Sequence, residues 1–138
     1  MLVENTKEFM VKLLKEGVFD EFLLKSAVID SFVRFEIYAR AEEEACWGSM
    51  RDHVFHIVKG SAAPRSLKVV LCADVGKFDI SNAVGLFVNI HFEAGRVMLT
   101  TGLSMRSFSL DKSSEGEWDA AVLGFLEDAG IGFVSQIG

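Results

Sequence analysis

Two histidines three residues apart, His53 and His56, are the first side chains in this sequence that could do chemistry. An i, i+3 pair puts both imidazoles on one helix face, where a metal ion still needs a third ligand from elsewhere. Asp52 stands beside them, and Cys46 with Glu42, Glu43 and Glu44 lies just upstream. The spacing is not the i, i+4 of a zinc-binding helix, and no glutamate lies between the two to act as general base. Val54, Phe55, Ile57 and Val58 surround them, so the pair is expected at the edge of a packing stripe, with no metal bound. The three glutamates are consecutive, so their carboxylates splay instead of converging on a cation. They suit a solvated helix entry.

Arg51, Lys59, Arg65 and Lys68 form the one cationic concentration, with Asp52 the single acid among them. Lys59-Gly60-Ser61 followed by Arg65 could cradle a phosphate or carboxylate. The Gly-x-x-x-x-Gly-Lys-Ser/Thr order is missing, however, and a helix C-terminus opposes an anion through its dipole. Asp74, Asp79 and Asp111 fall at expected strand or loop ends and are the carboxylates best placed for acid–base work. No Gly-x-Ser-x-Gly elbow, Cys-x-x-Cys pair or Gly-x-Gly-x-x-Gly loop occurs, and Ser104 and Ser107 have no base near them in sequence. Phe32 and Phe87 sit on otherwise polar strand faces, which marks them as contact-surface residues.

The elements that must position these groups follow from periodicity. Residues 5–16 read as a helix capped by Asn5, with Glu8 reaching back, and Gly17 supplying a left-handed stop. Residues 22–29 and 32–39 read as two strands joined at Asp30-Ser31. In the second, Val33, Phe35, Ile37 and Ala39 alternate with Arg34, Glu36, Tyr38 and Arg40. A second helix begins near Trp47, with Gly60 after its last turn, and residues 67–73 are an almost wholly apolar strand. Residues 86–93 and 96–101, joined at Ala94-Gly95, make the clearest hairpin. A further strand is expected over residues 104–110, a helix opened by a Ser114/Glu117 capping box, and a terminal strand over residues 131–137. The order predicts α+β: a largely antiparallel sheet of about six to seven strands with three main helices packed on it.

Length and composition bound the function. The chain has 138 residues, half of them hydrophobic and a quarter charged, with a net charge of −6. It suits one domain over residues 1–138, burying roughly two-thirds of its unfolded surface. Residues 70–138 carry 4 cations against 9 anions, so most of the acidic excess lies there. That balance repels polyanions and makes a nucleic-acid partner an unfavoured expectation. Two cysteines are too few for a disulfide framework, and both are expected reduced, with Cys72 in the core. No secretory h-region and no membrane-length apolar run appears, which points to a cytoplasmic chain.

Several phrases resemble a bacterial family of unknown function: Lys7-Glu8-Phe9-Met10-Val11-Lys12-Leu13-Leu14, Phe19-Asp20-Glu21-Phe22-Leu23, and Gly85-Leu86-Phe87-Val88-Asn89-Ile90-His91-Phe92-Glu93. Thr100-Thr101-Gly102, Phe108-Ser109-Leu110-Asp111-Lys112-Ser113 and Trp118-Asp119 extend the likeness along most of the chain. The resemblance implies no activity, cofactor or site residue. Residues 88–110, preceded by the helix over residues 47–59, also resemble a half-domain of DNA sliding clamps, which implies an interaction scaffold.

Three functions are compatible with these observations. The first is a non-catalytic cytosolic binding or assembly module, without cofactor, contacting a protein partner or itself through a sheet face or edge. The second is a small enzyme or ligand-binding domain with a pocket near the second helix, using His53 or His56 with Asp74 or Asp111 and an anion clamp of Lys59 or Arg65. The third is a clamp-like nucleic-acid accessory, which requires Arg51, Lys59, Arg65 and Lys68 on one face.

Overall fold

Asn5 starts the first helix by accepting the Glu8 amide on its side-chain oxygen at 3.0 Å. In the computed structural model, which describes residues 1–40, 43–60, 64–108 and 110–134, this helix is α1 (Thr6–Leu14). Glu8 pairs with Lys12 one turn on and does not reach back to the cap. Gly17 does not stop the helix in a left-handed conformation. It opens a short 3-10 turn (Gly17–Phe19), and among the described residues the positive-φ glycines are Gly95 and Gly130.

Strands β1 (Leu23–Asp30) and β2 (Arg34–Tyr38), helix α2 (Trp47–Gly60), strands β3 (Ser66–Ala73), β4 (Ala83–Glu93) and β5 (Arg96–Met105), and helix α3 (Ser113–Asp128) follow in order. The strands form one antiparallel sheet in the order β2-β1-β3-β4-β5. Period-two alternation assigns its faces. Ala27, Ile29, Leu67, Val69, Leu71, Leu86, Val88, Ile90, Val97 and Leu99 are buried on the face carrying the helices. The helices close over them with Phe9, Leu13, Trp47, Val54, Trp118 and Leu126, all at most 1% exposed.

Two indoles lock this layer. Trp47 donates to the Leu13 carbonyl at 2.8 Å, taking an acceptor from the last turn of α1. Trp118 donates to the Phe87 carbonyl at 3.0 Å and fixes α3 on the sheet. Lys12 donates to the carbonyls of Ala129 and Gly130 and so ties α1 to the C-terminal end of α3.

The expected six to seven strands are five. The pieces 96–101 and 104–110 are one strand as far as Met105, because Gly102 remains in register opposite Phe87. Beyond Met105, Asn82 turns the chain by accepting the Ser107 amide and donating to the Ser107 carbonyl, which leaves Phe108 and Leu110 in solvent. Ser109 lies outside the described residues. The terminal strand is reduced to a bridge between Val3 and Phe133 with two flanking bonds, Glu4 to Gly132 and Val134 to Leu2. Residues 135–137 of that expectation lie outside the described residues.

The Ala94-Gly95 hairpin forms as expected, with both residues at positive φ, 52° and 74°, as a two-residue turn of this hand demands. The Ser114/Glu117 capping box does not form. The Ser114 hydroxyl donates to the Ser81 carbonyl and Glu117 accepts the Ser81 amide, so both groups hold the loop before β4. Asp111 takes over the start of α3 by accepting the Ser113 amide at 3.0 Å.

Candidate interaction surface

Strand β2 is shaped by the turn that precedes it. The Ser31 amide and hydroxyl both donate to the Val33 carbonyl at 3.1 Å, closing a tight connection with Phe32 at its tip. Phe32 is therefore 75% exposed at a hairpin tip, not on a polar strand face. Past the turn, Arg34, Glu36 and Tyr38 stand opposite Asp30, Val28 and Ser26 on the face away from the helices, while Phe35 and Ile37 lie opposite Ile29 and Ala27.

The backbone of β2 is half used. The Ser31–Val33 bond and the Ala39 amide to Lys25 carbonyl bond bracket its ladder with β1. Antiparallel bonding alternates, so Phe35 and Ile37 bond inward, and Arg34, Glu36 and Tyr38 direct their N–H and C=O groups outward. Among the described residues no strand pairs with this outer edge. Its side chains are apolar for an edge: Phe32, Val33, Phe35 and Tyr38 are all exposed. Arg34 and Glu36 interrupt them and pair with each other at 2.8 Å.

The opposite edge differs. Val3 donates to Val97 at 2.9 Å and Leu99 donates to Met1 at 2.8 Å, so the first residues of the chain occupy the outer side of β5 there. Further along, the Thr101 hydroxyl bonds the Asp119 carboxylate of α3.

Between the edges, the sheet face away from the helices is mixed, with Ser26, Lys68, Asn89 and His91 beside Val28, Val70 and Phe87. A shallow depression of about 340 Å³ lies beside β2, bordered by Asp30, Arg34, Tyr38, Lys68 and His91. Lys25, the extra residue of a bulge in β1, sets its ammonium 4.9 Å from the centre of the Phe87 ring. Cys72 faces Phe87 across the strands on this side and is half-buried there, not in the core. Burial pushes its thiol pKa up, with the Lys25 charge opposing.

The cations singled out by sequence are dispersed. Arg51 makes a two-pronged pair with Asp20, Nε to Oδ1 at 2.7 Å, and its guanidinium also reaches the Leu14 carbonyl. Lys59 lies 6.0 Å from the Phe55 ring centre at the end of α2. Arg65 is exposed just before β3 with its amide on the Asp30 carbonyl, and Lys68 is on the sheet face away from the helices. Phe87 is on that same face.

The polar candidates do not gather either. His53 and His56 are exposed on α2, and His56 Nδ1 lies 2.8 Å from the carbonyl oxygen of Asp52. Asp74 accepts the Gly76 amide and borders a cleft that includes neither histidine nor Asp111. That cleft, of about 270 Å³, has a floor of Phe22, Phe78 and Phe125 and a rim of Glu21, Asp74 and Lys77, with Lys77 and Glu21 paired at 3.3 Å. Sequence reasoning missed it because its aromatics come from three separate segments. Among the described residues, no three His, Cys, Asp or Glu side chains group as a metal site requires.

The family model matches residues 12–134, spanning β2, the whole sheet and all three helices, although α1 only in part. The chain belongs to DUF5721, a family of unknown function. No curated protein and no solved structure matches it. Membership of DUF5721 brings no activity and no site residues, so the reading of function rests on the surfaces themselves. No helix among the described residues is long and apolar enough to cross a membrane.

Proposed function

We propose that this chain is a single-domain, non-catalytic binding and assembly module whose working surface is the outer edge of β2 with the adjoining depression. One observation carries the reading: an edge strand with outward-directed amides bears, together with the turn before it, four exposed apolar side chains. Soluble proteins ordinarily blunt such edges with charge, proline or cover, because they template pairing with another chain. Here the charges are one arginine and one glutamate that neutralise each other. Main-chain bonds along an edge give affinity, and alternate side chains give selectivity. The acidic net charge favours a protein over a polyanion as partner.

A photo-reactive phenylalanine analogue at Tyr38 tests this, with the same probe at Leu123 on exposed α3 as control. Irradiation is expected to yield covalent adducts to one recurring protein species, this chain included, from Tyr38 and not from Leu123. Equal adducts from both positions, or none from either, refute the reading.

A further inference from the structure

The residues along the β2 edge specify their own complement. Resting on the reading just given, we infer that the partner is a second copy of this chain, joined β2 to β2 in antiparallel register with Arg34 opposite Glu36 of the other copy. Outward amides belong to Arg34, Glu36 and Tyr38, so a bonded register must pair these positions with one another. Five two-fold registers pair these positions; those centred on Ile37 or Tyr38 leave Phe32 and Val33 beyond the end of the partner strand, and charge separates the other three. Centring on Glu36 sets two carboxylates face to face, and centring on Arg34 sets two guanidiniums face to face. Like charges directly opposite destabilise a sheet.

The register between these two centres on Phe35. It places Arg34 against Glu36 twice, once on each side of the axis, and forms four backbone hydrogen bonds. Phe35 then meets its own copy at the non-bonded position, where side chains approach most closely. Val33 falls opposite Ile37, and Phe32 at the hairpin tip comes beside Tyr38. Every exposed apolar residue of the edge gains an apolar neighbour, and each charge changes from a partner within its own strand to one across the interface. A ten-stranded sheet results, isologous as two-fold symmetry requires. The five residues of β2 and the two before them on each side make a small interface, below the roughly 1,200 Å² of a tight complex, so the expected Kd is on the order of micromolar.

Sedimentation velocity over about 1 µM to about 1 mM reads this equilibrium directly. Arg34→Glu and Glu36→Arg each turn both cross-strand pairs repulsive and are expected to weaken the dimer at least about tenfold. The double variant recreates the complement with signs exchanged and is expected within about threefold of the wild type. Mixing the two single variants is the decisive arm, because one strand then carries two acids and the other two bases, and a heterodimer must form where neither alone dimerises. Glu36→Pro removes an outward amide that β1 does not use, and is expected to abolish pairing while circular dichroism stays unchanged. A wild type that dimerises with a Kd indifferent to all four changes overturns the register and leaves assembly to another surface. A strict monomer at about 1 mM also overturns it. In that case Tyr38 adducts to a different protein keep the broader reading, and their absence removes both.

Discussion

The Asp20–Arg51 pair decides whether Arg51 is structural or available to a ligand, and a double-mutant cycle measures it. The contact is two-pronged, Nε to Oδ1 at 2.7 Å and Nη2 to Oδ2 at 3.4 Å, with the side chains 33% and 24% exposed. Opposite charges about 4 Å apart at an effective dielectric of about 20 attract by about 4 kcal/mol before desolvation and ordering are charged against them. Fully exposed pairs retain about 0.2–1 kcal/mol, and charge-assisted hydrogen bonds about 1.5–3. Partial burial puts this pair between, at a coupling of about 1.5 kcal/mol. Arg51→Met also leaves the Leu14 carbonyl without its side-chain donor and is expected to cost about 2 kcal/mol. Asp20→Asn keeps an acceptor and is expected to cost about 1 kcal/mol, with the double variant costing about 1.5. Urea unfolding of the four proteins at neutral pH supplies the cycle. A coupling below about 0.5 kcal/mol refutes the assignment. So does selective stabilisation of the wild type, and not of Arg51→Met, by phosphate over chloride at equal ionic strength.

Gly48 in the first turn of α2 stands where an added Cβ meets the Asp20 Cβ and Cγ at 2.9 Å, so Gly48→Ala is expected to destabilise in urea despite alanine's helix preference of about 1 kcal/mol. Ala94→Asn relieves a left-handed alanine in the β4–β5 turn and is expected to raise stability by about 0.5–1 kcal/mol in thermal unfolding. With its thiol held protonated by burial, Cys72 is expected to alkylate far more slowly at mildly alkaline pH than exposed Cys46, read by peptide mass spectrometry. The same shift bears on stability. Both states keep the proton below the ordinary thiol range, whereas above it the unfolded chain loses its proton first, so stability falls as pH rises. Cys72→Ala is expected to flatten that alkaline limb.

What the sequence disclosed depended on how local each determinant is. The Asn5 cap, the Ala94-Gly95 turn and the α3 stripe of Trp118, Val122 and Leu126 need only neighbours within a turn or two, and all are present. The strand expected over 104–110 stops at Met105 and the Ser114/Glu117 cap does not form, because the deciding partners are distant. Asn82 bends the chain 25 residues away from Ser107, and Ser81 claims the capping side chains from 33 and 36 residues away. The site followed the same logic. Arg51 looked like part of a cationic cluster until Asp20, 31 residues earlier in the chain, came within hydrogen-bonding range. The alternation of Arg34, Phe35, Glu36, Ile37 and Tyr38 was legible. That this strand ends the sheet depended on strand order, which no local pattern encodes.

The two sides of the sheet are not equivalent, and this limits how far any association can grow. Residues 1–3 already lie along the start of β5, and Phe133 backs Val3 in turn, so the first half of that flank has its outward main chain taken, and beyond it the Thr101 hydroxyl is held by the Asp119 carboxylate of α3. A molecule with a single sticky flank is consumed once it has found a mate, and fibres need two. Val3→Asp, which charges a residue only 5% exposed and loosens this self-made seal, is expected to open the start of β5 to strand pairing and to yield open-ended, thioflavin-positive aggregates that the unchanged chain does not form.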